Sequence, residues 1–337
     1  MTVLFTTHPQ FLAHDTGAGH PERPSRLEAV AAGIAAAGLT EALVTFEPRP
    51  ATAAEIALVH PEPFLHRLAE FIDAGGGNID PDTVAVPASY AAALLAAGAG
   101  LESVARLDAG EGDVAFCAVR PPGHHATATR SMGFCLLNNV AITARALADR
   151  GERVLIVDYD AHHGNGTQDV FYGDGDVVYV SFHEFPLYPG TGGVPEMGEG
   201  DGFGATINFP LPSGATGDVY RQALDEVVAP LVDRWQPTWL LVSAGFDAHR
   251  RDPITSLGLT SGDYADLATD VLKYVPTGRC VFFLEGGYDL EALTDSVGAT
   301  LASMAGEHHR PEAPTSGGPG AAVVDAVRRL RDDEGWI

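Results

Sequence analysis

The chain has 337 residues, 45% of them hydrophobic, with a formal net charge of −25. That length allows one large domain or two smaller ones around a sizeable core, and the charge argues against a polyanionic partner such as nucleic acid. No apolar run is long enough to span a bilayer, so no membrane partner is expected, and Met1–Phe5 lacks the basic start and apolar stretch of a secretory leader.

A cytoplasmic protein is therefore expected. Cys117, Cys135 and Cys280 are odd in number, widely spaced and set among apolar residues, so they read as buried free thiols in a reducing compartment. In chain order, Val3–Thr6 reads as a strand, Ser25–Ala37 and Pro61–Asp73 as helices, and Gly75–Pro87 as a long Gly/Asp/Pro loop. The helix Ser89–Leu107, the strand Val114–Ala118 and the helix Val140–Asp149 come next, then the strands Val154–Val157 and Val177–Phe182. A second long loop, Glu184–Gly204, precedes the strand Thr206–Phe209; loops of such length often form active-site walls. The helix Val219–Trp235, strand Trp239–Ser243, helix Ser261–Tyr274, strand Val281–Leu284 and helix Leu290–Ala305 complete the alternation.

Strands that are nearly continuous in apolar residues, alternating with helices, predict an α/β fold. Its single, mostly parallel sheet would carry helices on both faces, in one domain over residues 1–305. Residues 306–337 change character. Gly306–Ala322, rich in Gly, Pro and His, reads as a tether, while Val323–Leu330 has the apolar spacing of a short helix that docks back or mediates homo-oligomer formation.

The richest segment runs from Val154 to Gly166, where a buried strand passes into Asp158, Asp160, His162, His163 and then glycines. In parallel α/β folds ligands gather beyond the carboxyl ends of the strands. Alternate residues of extended backbone share a face, so Asp160 and His162 can point to one place, with Asp158 one step deeper. Carboxylate plus imidazole, without thiolate, suits Zn²⁺ with an open position, and such a set also accepts Fe²⁺ or Co²⁺. Trp239–Asp247 repeats the design: a strand, a small-residue turn, then Asp247 as a third ligand or as a turn cap.

After the strand ending at Ala118, the stiff turn Arg120–Gly123 presents His124 and His125, suited to proton transfer near neutral pH. After the last strand, Gly286 and Gly287 free the backbone so that Tyr288 can turn inward and donate its phenolic hydrogen to a developing oxyanion.

These pieces stand in a familiar order. His20–Arg26 (HPERPSR), Arg120–His125 (RPPGHH), Gly133–Asn139 (GFCLLNN), Asp158–Gln168 (DYDAHHGNGTQ), Ala244–Asp247 (AGFD) and Leu284–Tyr288 (LEGGY) together resemble the histone deacetylase and acetylpolyamine amidohydrolase family over about residues 1–305. The likeness is greatest to class II bacterial members.

The resemblance implies an arginase-like deacetylase fold and hydrolysis of an acylated amine such as acyl-lysine. By motif, Asp160, His162 and Asp247 would hold zinc, His124 would pair with Asp158, and His125 would be the general base with Asn165 as its partner. Tyr288 would bind the acyl oxygen, and Gly133, Phe134 and Tyr188 would line a channel. A structural K⁺ would lie at Asp158, Asp160, His162 and Ser181. Asn165 stands where class I members have aspartate. A neutral partner stabilises imidazolium less, leaving His125 easier to keep as a base.

Ile254 occupies a position where glutamate accompanies polyamine specificity in some relatives, so an acyl-lysine-like or small neutral substrate is favoured. Acidic Asp80 and Asp82 keep a polyamine open. Thioester hydrolysis at the same site and a non-catalytic acyl-lysine reader are the competing readings. A two-metal hydrolase lacks a second ligand set, and a dinucleotide-binding oxidoreductase lacks its Gly-x-Gly-x-x-Gly turn.

Overall fold

A computed structural model describes residues 1–336. Ten strands form: β1 (Val3–Thr6), β2 (Leu43–Phe46), β3 (Gly77–Asn78), β4 (Val84–Ala85), β5 (Val114–Cys117), β6 (Val154–Asp158), β7 (Val177–Glu184), β8 (Thr206–Leu211), β9 (Trp239–Ala244) and β10 (Cys280–Leu284). Eight of them make one sheet in the order β2-β1-β5-β10-β9-β6-β7-β8, and every ladder in it is parallel. Its central strands are buried on both faces, which is why they read as unbroken runs of Val, Leu, Ile and Phe. The expected α/β architecture is the one observed.

The order of pairing is what makes a site. The chain leaves β5, passes over two vacant positions to lay down β6, and later fills the gap with β9 and β10. Four neighbouring strands, β5, β10, β9 and β6, therefore end side by side, and the loops beyond their carboxyl ends meet in one crevice.

Several boundaries differ from the sequence reading. The edge strand β2 was not anticipated, because at the sheet margin its pattern is only partly buried, with Val44 exposed. The long Gly/Asp/Pro loop carries the short antiparallel ladder of β3 and β4. Within the helical stretch 217–235, Leu224–Val228 widens into a π turn just before Pro230. Pro230 has no N–H to donate back, so the ladder loosens there. In the tail, the helix Ala321–Asp333 folds back on the domain with Val324 and Val327 buried.

Candidate active site

Beyond β6 the chain turns three side chains inward. His162 Nδ1 lies 3.2 Å from Asp160 Oδ1 and 2.9 Å from Asp247 Oδ2, and all three residues are buried. One ligand atom from each falls within 4.8 Å of the others. The carboxylates are held from behind: the Gly286 N–H donates to Asp160 Oδ2 at 2.7 Å, and the Ala161 N–H to Asp247 Oδ1 at 2.8 Å. A Cβ on Gly286 would stand 2.3 Å from Asp247 Oδ2, so only glycine lets this strand end approach so closely.

His124 and His125 face this trio with ring centroids 4.0 Å apart, and they are held differently. His124 Nδ1 lies 3.0 Å from Asp158 Oδ2, which also accepts a hydrogen bond from the Tyr179 hydroxyl. His125 Nδ1 lies 2.8 Å from Asn165 Oδ1. Burial opposes charge on both rings. For His124, Asp158, Asp160 and Glu285 outweigh it and push the pKa up to about 10. For His125, burial is reinforced by the charges of His124 and His162, and its pKa falls well below the usual imidazole range. The surroundings thus favour charge on the His124 ring and oppose it on the His125 ring.

A cavity of about 220 Å³ leads inward, lined by Gly133, Phe134, Tyr188, Ile254 and Tyr288, with His125 and His162 at its base and Asp82 among its walls. A side chain entering it passes aromatic faces before reaching the imidazoles. Ser181 is buried apart from this channel, its Oγ 2.9 Å from His183 Nδ1.

Comparison with known proteins agrees with this geometry. A sequence profile of the histone deacetylase domain matches residues 20–304. A probable deacetylase of Archaeoglobus fulgidus is 41% identical over 313 residues, covering 91% of this chain and 87% of its own. The histone deacetylase-like amidohydrolase of Pseudomonas aeruginosa is 37% identical over 277 residues, covering 80% and 73%. The crystal structure of the HDA15 HD domain superposes with a TM-score of 0.91 at 33% identity, over 98% of this chain and 94% of that one. This chain belongs to the histone deacetylase family.

It is accordingly a hydrolytic deacetylase with the arginase-like fold, and an acetylated amine is the substrate its family implies. The family is generally metal-dependent, and the trio fits a divalent cation. Two buried carboxylates converge on one imidazole nitrogen, and a proton there would serve only one of them well. No thiolate joins the set, and His162 borders the channel.

The deacetylase also uses residues that the sequence reading passed over. Glu285 reaches under the histidine turn, accepting the Gly123 N–H at 2.7 Å and the His124 N–H at 3.2 Å. Arg26 donates to the Gly287 carbonyl at 2.7 Å and to the Glu285 carbonyl, and its guanidinium lies 5.1 Å from the Tyr288 ring centroid. Buried Glu22 ties Arg26 to Arg120, joining the His20–Arg26 motif to the histidine turn. Asp252 accepts the Ile254 N–H on one oxygen at 3.0 Å and the Tyr288 N–H on the other at 2.8 Å.

Most of these act on backbone groups, which leave no residue-type signature in a sequence. Glu22, Arg26, Arg120 and Glu285 carried a signal as charged residues inside the quoted motifs, and Asp252 carried none.

Proposed function

We propose that this deacetylase removes acetyl or related short acyl groups from a primary amine at the end of an aliphatic stem, acyl-lysine being the type substrate, with zinc held by Asp160, His162 and Asp247. The observation that carries the reading is the histidine pair, His124 held by Asp158 and His125 by Asn165, facing those three residues at the base of a narrow aromatic channel. When bound, the metal would polarise the acyl carbonyl and lower the pKa of a water from about 15.7 towards about 7.

The protein's own groups do the rest. With Nδ1–H held by Asn165, His125 presents the lone pair of Nε2 and takes the proton of the attacking water. His124 stays imidazolium beside Asp158, offsetting the negative charge that gathers around the acyl carbon. Tyr288 donates its phenolic hydrogen to the developing oxyanion. His125 then returns its proton to the departing amine, so the acid leaves and the amine is released neutral. Phe134 and Tyr188 flank the stem and exclude water, with Gly133 leaving room beside His125. A structural potassium ion at Asp158, Asp160, His162 and Ser181 belongs to the same proposal.

Ile254 at the mouth offers no charge to select a polycation, which favours a lysine-like stem. An acetylated polyamine is the second reading, resting on Asp82, the carboxylate in the channel lining. The three buried free thiols fit a reducing, cytoplasmic setting.

The test is a panel of acetyl-lysine peptides, acetylpolyamines, small acetylated amines and an acyl thioester, assayed with zinc-loaded and chelated enzyme. Zinc-dependent turnover of the lysine peptides above the polyamines is expected. Turnover that survives complete chelation would overturn the metal assignment, and a preference for the polyamine or thioester would overturn the substrate assignment.

A further inference from the structure

Beside the channel lies a second groove, of about 310 Å³, that the reaction does not use. Its floor is apolar, made by Phe64, Leu68 and Phe71 of the helix Glu62–Asp73 together with Ile79. Its rim carries Arg67 and Arg130.

Both arginines are unusual in this molecule. The chain has more than twice as many acidic as basic residues, 45 against 20, so nearly every guanidinium finds a carboxylate or carbonyl. Among the described residues only the guanidinium groups of Arg67, Arg130 and Arg329 make no hydrogen bond or ion pair, and two of these line one groove. The one carboxylate in the groove's lining, Asp80, is turned onto its own loop, where Oδ1 accepts the N–H groups of Asp82 and Thr83 at 3.2 and 2.7 Å. Two cations over an apolar floor complement an anionic group on a short aliphatic stem.

Two segments of the chain run from the groove to the channel. Asp80 lines the groove and Asp82 the channel; Ser131 lines the groove and Gly133 the channel. In each case the step is two residues along the chain, at most about 7 Å between their Cα atoms. That spacing matches the distance between one side chain of an extended peptide and those two or three positions away.

Building on the acyl-lysine reading above, we propose that this groove is a second substrate subsite, taking a glutamate or aspartate two or three residues from the acyl-lysine of a protein or peptide substrate. Arg67 and Arg130 pair with its carboxylate, and its methylenes lie on Phe64 and Leu68. The deacetylase thereby selects an acidic flank although its overall charge repels acidic chains, and a substrate without a flanking chain gains nothing from the groove.

The experiment uses zinc-loaded enzyme and fluorescein-labelled acetyl-lysine peptides that differ only in Glu or Lys at positions −3, −2, +2 and +3, with N-acetyl-lysine amide as a minimal substrate. In the wild type, kcat/KM should favour Glu over Lys about threefold to tenfold at one or more of these positions, and the preference should shrink as salt is raised. In R67A/R130A the Glu-to-Lys ratio should fall to about one, and Arg67→Glu should invert it. Equal rates for Glu and Lys peptides in the wild type, or a preference that persists in R67A/R130A, would overturn the subsite. Fluorescence anisotropy with the same peptides reads the groove whether or not they turn over. A Glu preference in binding, lost in R67A/R130A, with no turnover of any peptide or of the minimal substrate, would count against the deacetylation reading and for the groove.

Discussion

Tyr288 reaches the channel with its ring packed edge-on against Phe134 at 5.8 Å and the Arg26 guanidinium alongside, while its backbone N–H is held by Asp252. Its hydroxyl is the only part of that arrangement that phenylalanine would lack. Tyr288→Phe should therefore keep its fold and metal content yet lose on the order of 10²–10³ in kcat, the usual effect of removing one oxyanion donor. Metal analysis beside steady-state kinetics checks both halves. Asp252 makes a subtler case, because its carboxylate offers one oxygen to each wall of the channel. Asparagine has a single acceptor oxygen and would turn its NH₂ towards the other N–H, letting either Tyr288 or Ile254 drift. Asp252→Asn should lower kcat roughly tenfold to a hundredfold with metal content intact, the scale expected when a reacting group is misplaced by about 1 Å. An unchanged kcat would show that Tyr288 is positioned without it.

At the scale of elements, the central strands were legible because burial on both faces forces continuous apolar runs, and the proposed ligands Asp160, His162 and Asp247 stood at their ends. The edge strand β2 and the two-residue ladder of β3 and β4 were not, since their half-exposed residues carry no such run. Asp252 was hidden for another reason: an aspartate before Pro253 reads as an ordinary turn former, and its two amide partners come from different loops. The turn that places Phe134 shows what an element can demand of one residue. Gly133 and Phe134 both adopt positive φ, 55° and 68°, and a Cβ on Gly133 would meet the His125 ring at 2.4 Å. Gly133→Ala must therefore displace the ring or the turn. Activity should fall at least about a hundredfold, while the circular dichroism spectrum and the zinc content stay near wild type, because neither the strands nor the metal trio is touched. An alanine variant with wild-type kcat would place His125 outside the chemistry.

Across the whole molecule, the tail is bound to the segment that carries Asp247, the third proposed metal ligand. Glu312 meets His249 Nε2 at 2.8 Å and Arg250 Nη2 at 2.6 Å, two and three residues beyond Asp247, and the His249 carbonyl accepts the Asp252 N–H at 2.8 Å. Further on, Arg331 is buried, with hydrogen bonds to the carbonyls of Gly204 and Thr206. We propose that residues 1–305 are the deacetylase domain and that the tail is a strap across it, steadying the loop from Asp247 to Ile254. Burial works against charge on Glu312, yet hydrogen bonds from His249 and the Ser261 N–H, with Arg250 beside it, hold its pKa at about 2 against an ordinary 4.5. A carboxyl depressed on folding stabilises the native state fully above its unfolded pKa and loses that contribution as the pH falls through the folded value. Glu312→Gln should thus be less stable than wild type at pH 7 by no more than about 1 kcal/mol, the scale of a partly exposed ion pair. That difference should hold down to about pH 4.5 and shrink below it, as the wild-type carboxyl takes up its proton. Urea unfolding of both proteins at pH 7, 5 and 4 follows the gap; one that widens on acidification would mean that Glu312 acts through something other than its charge.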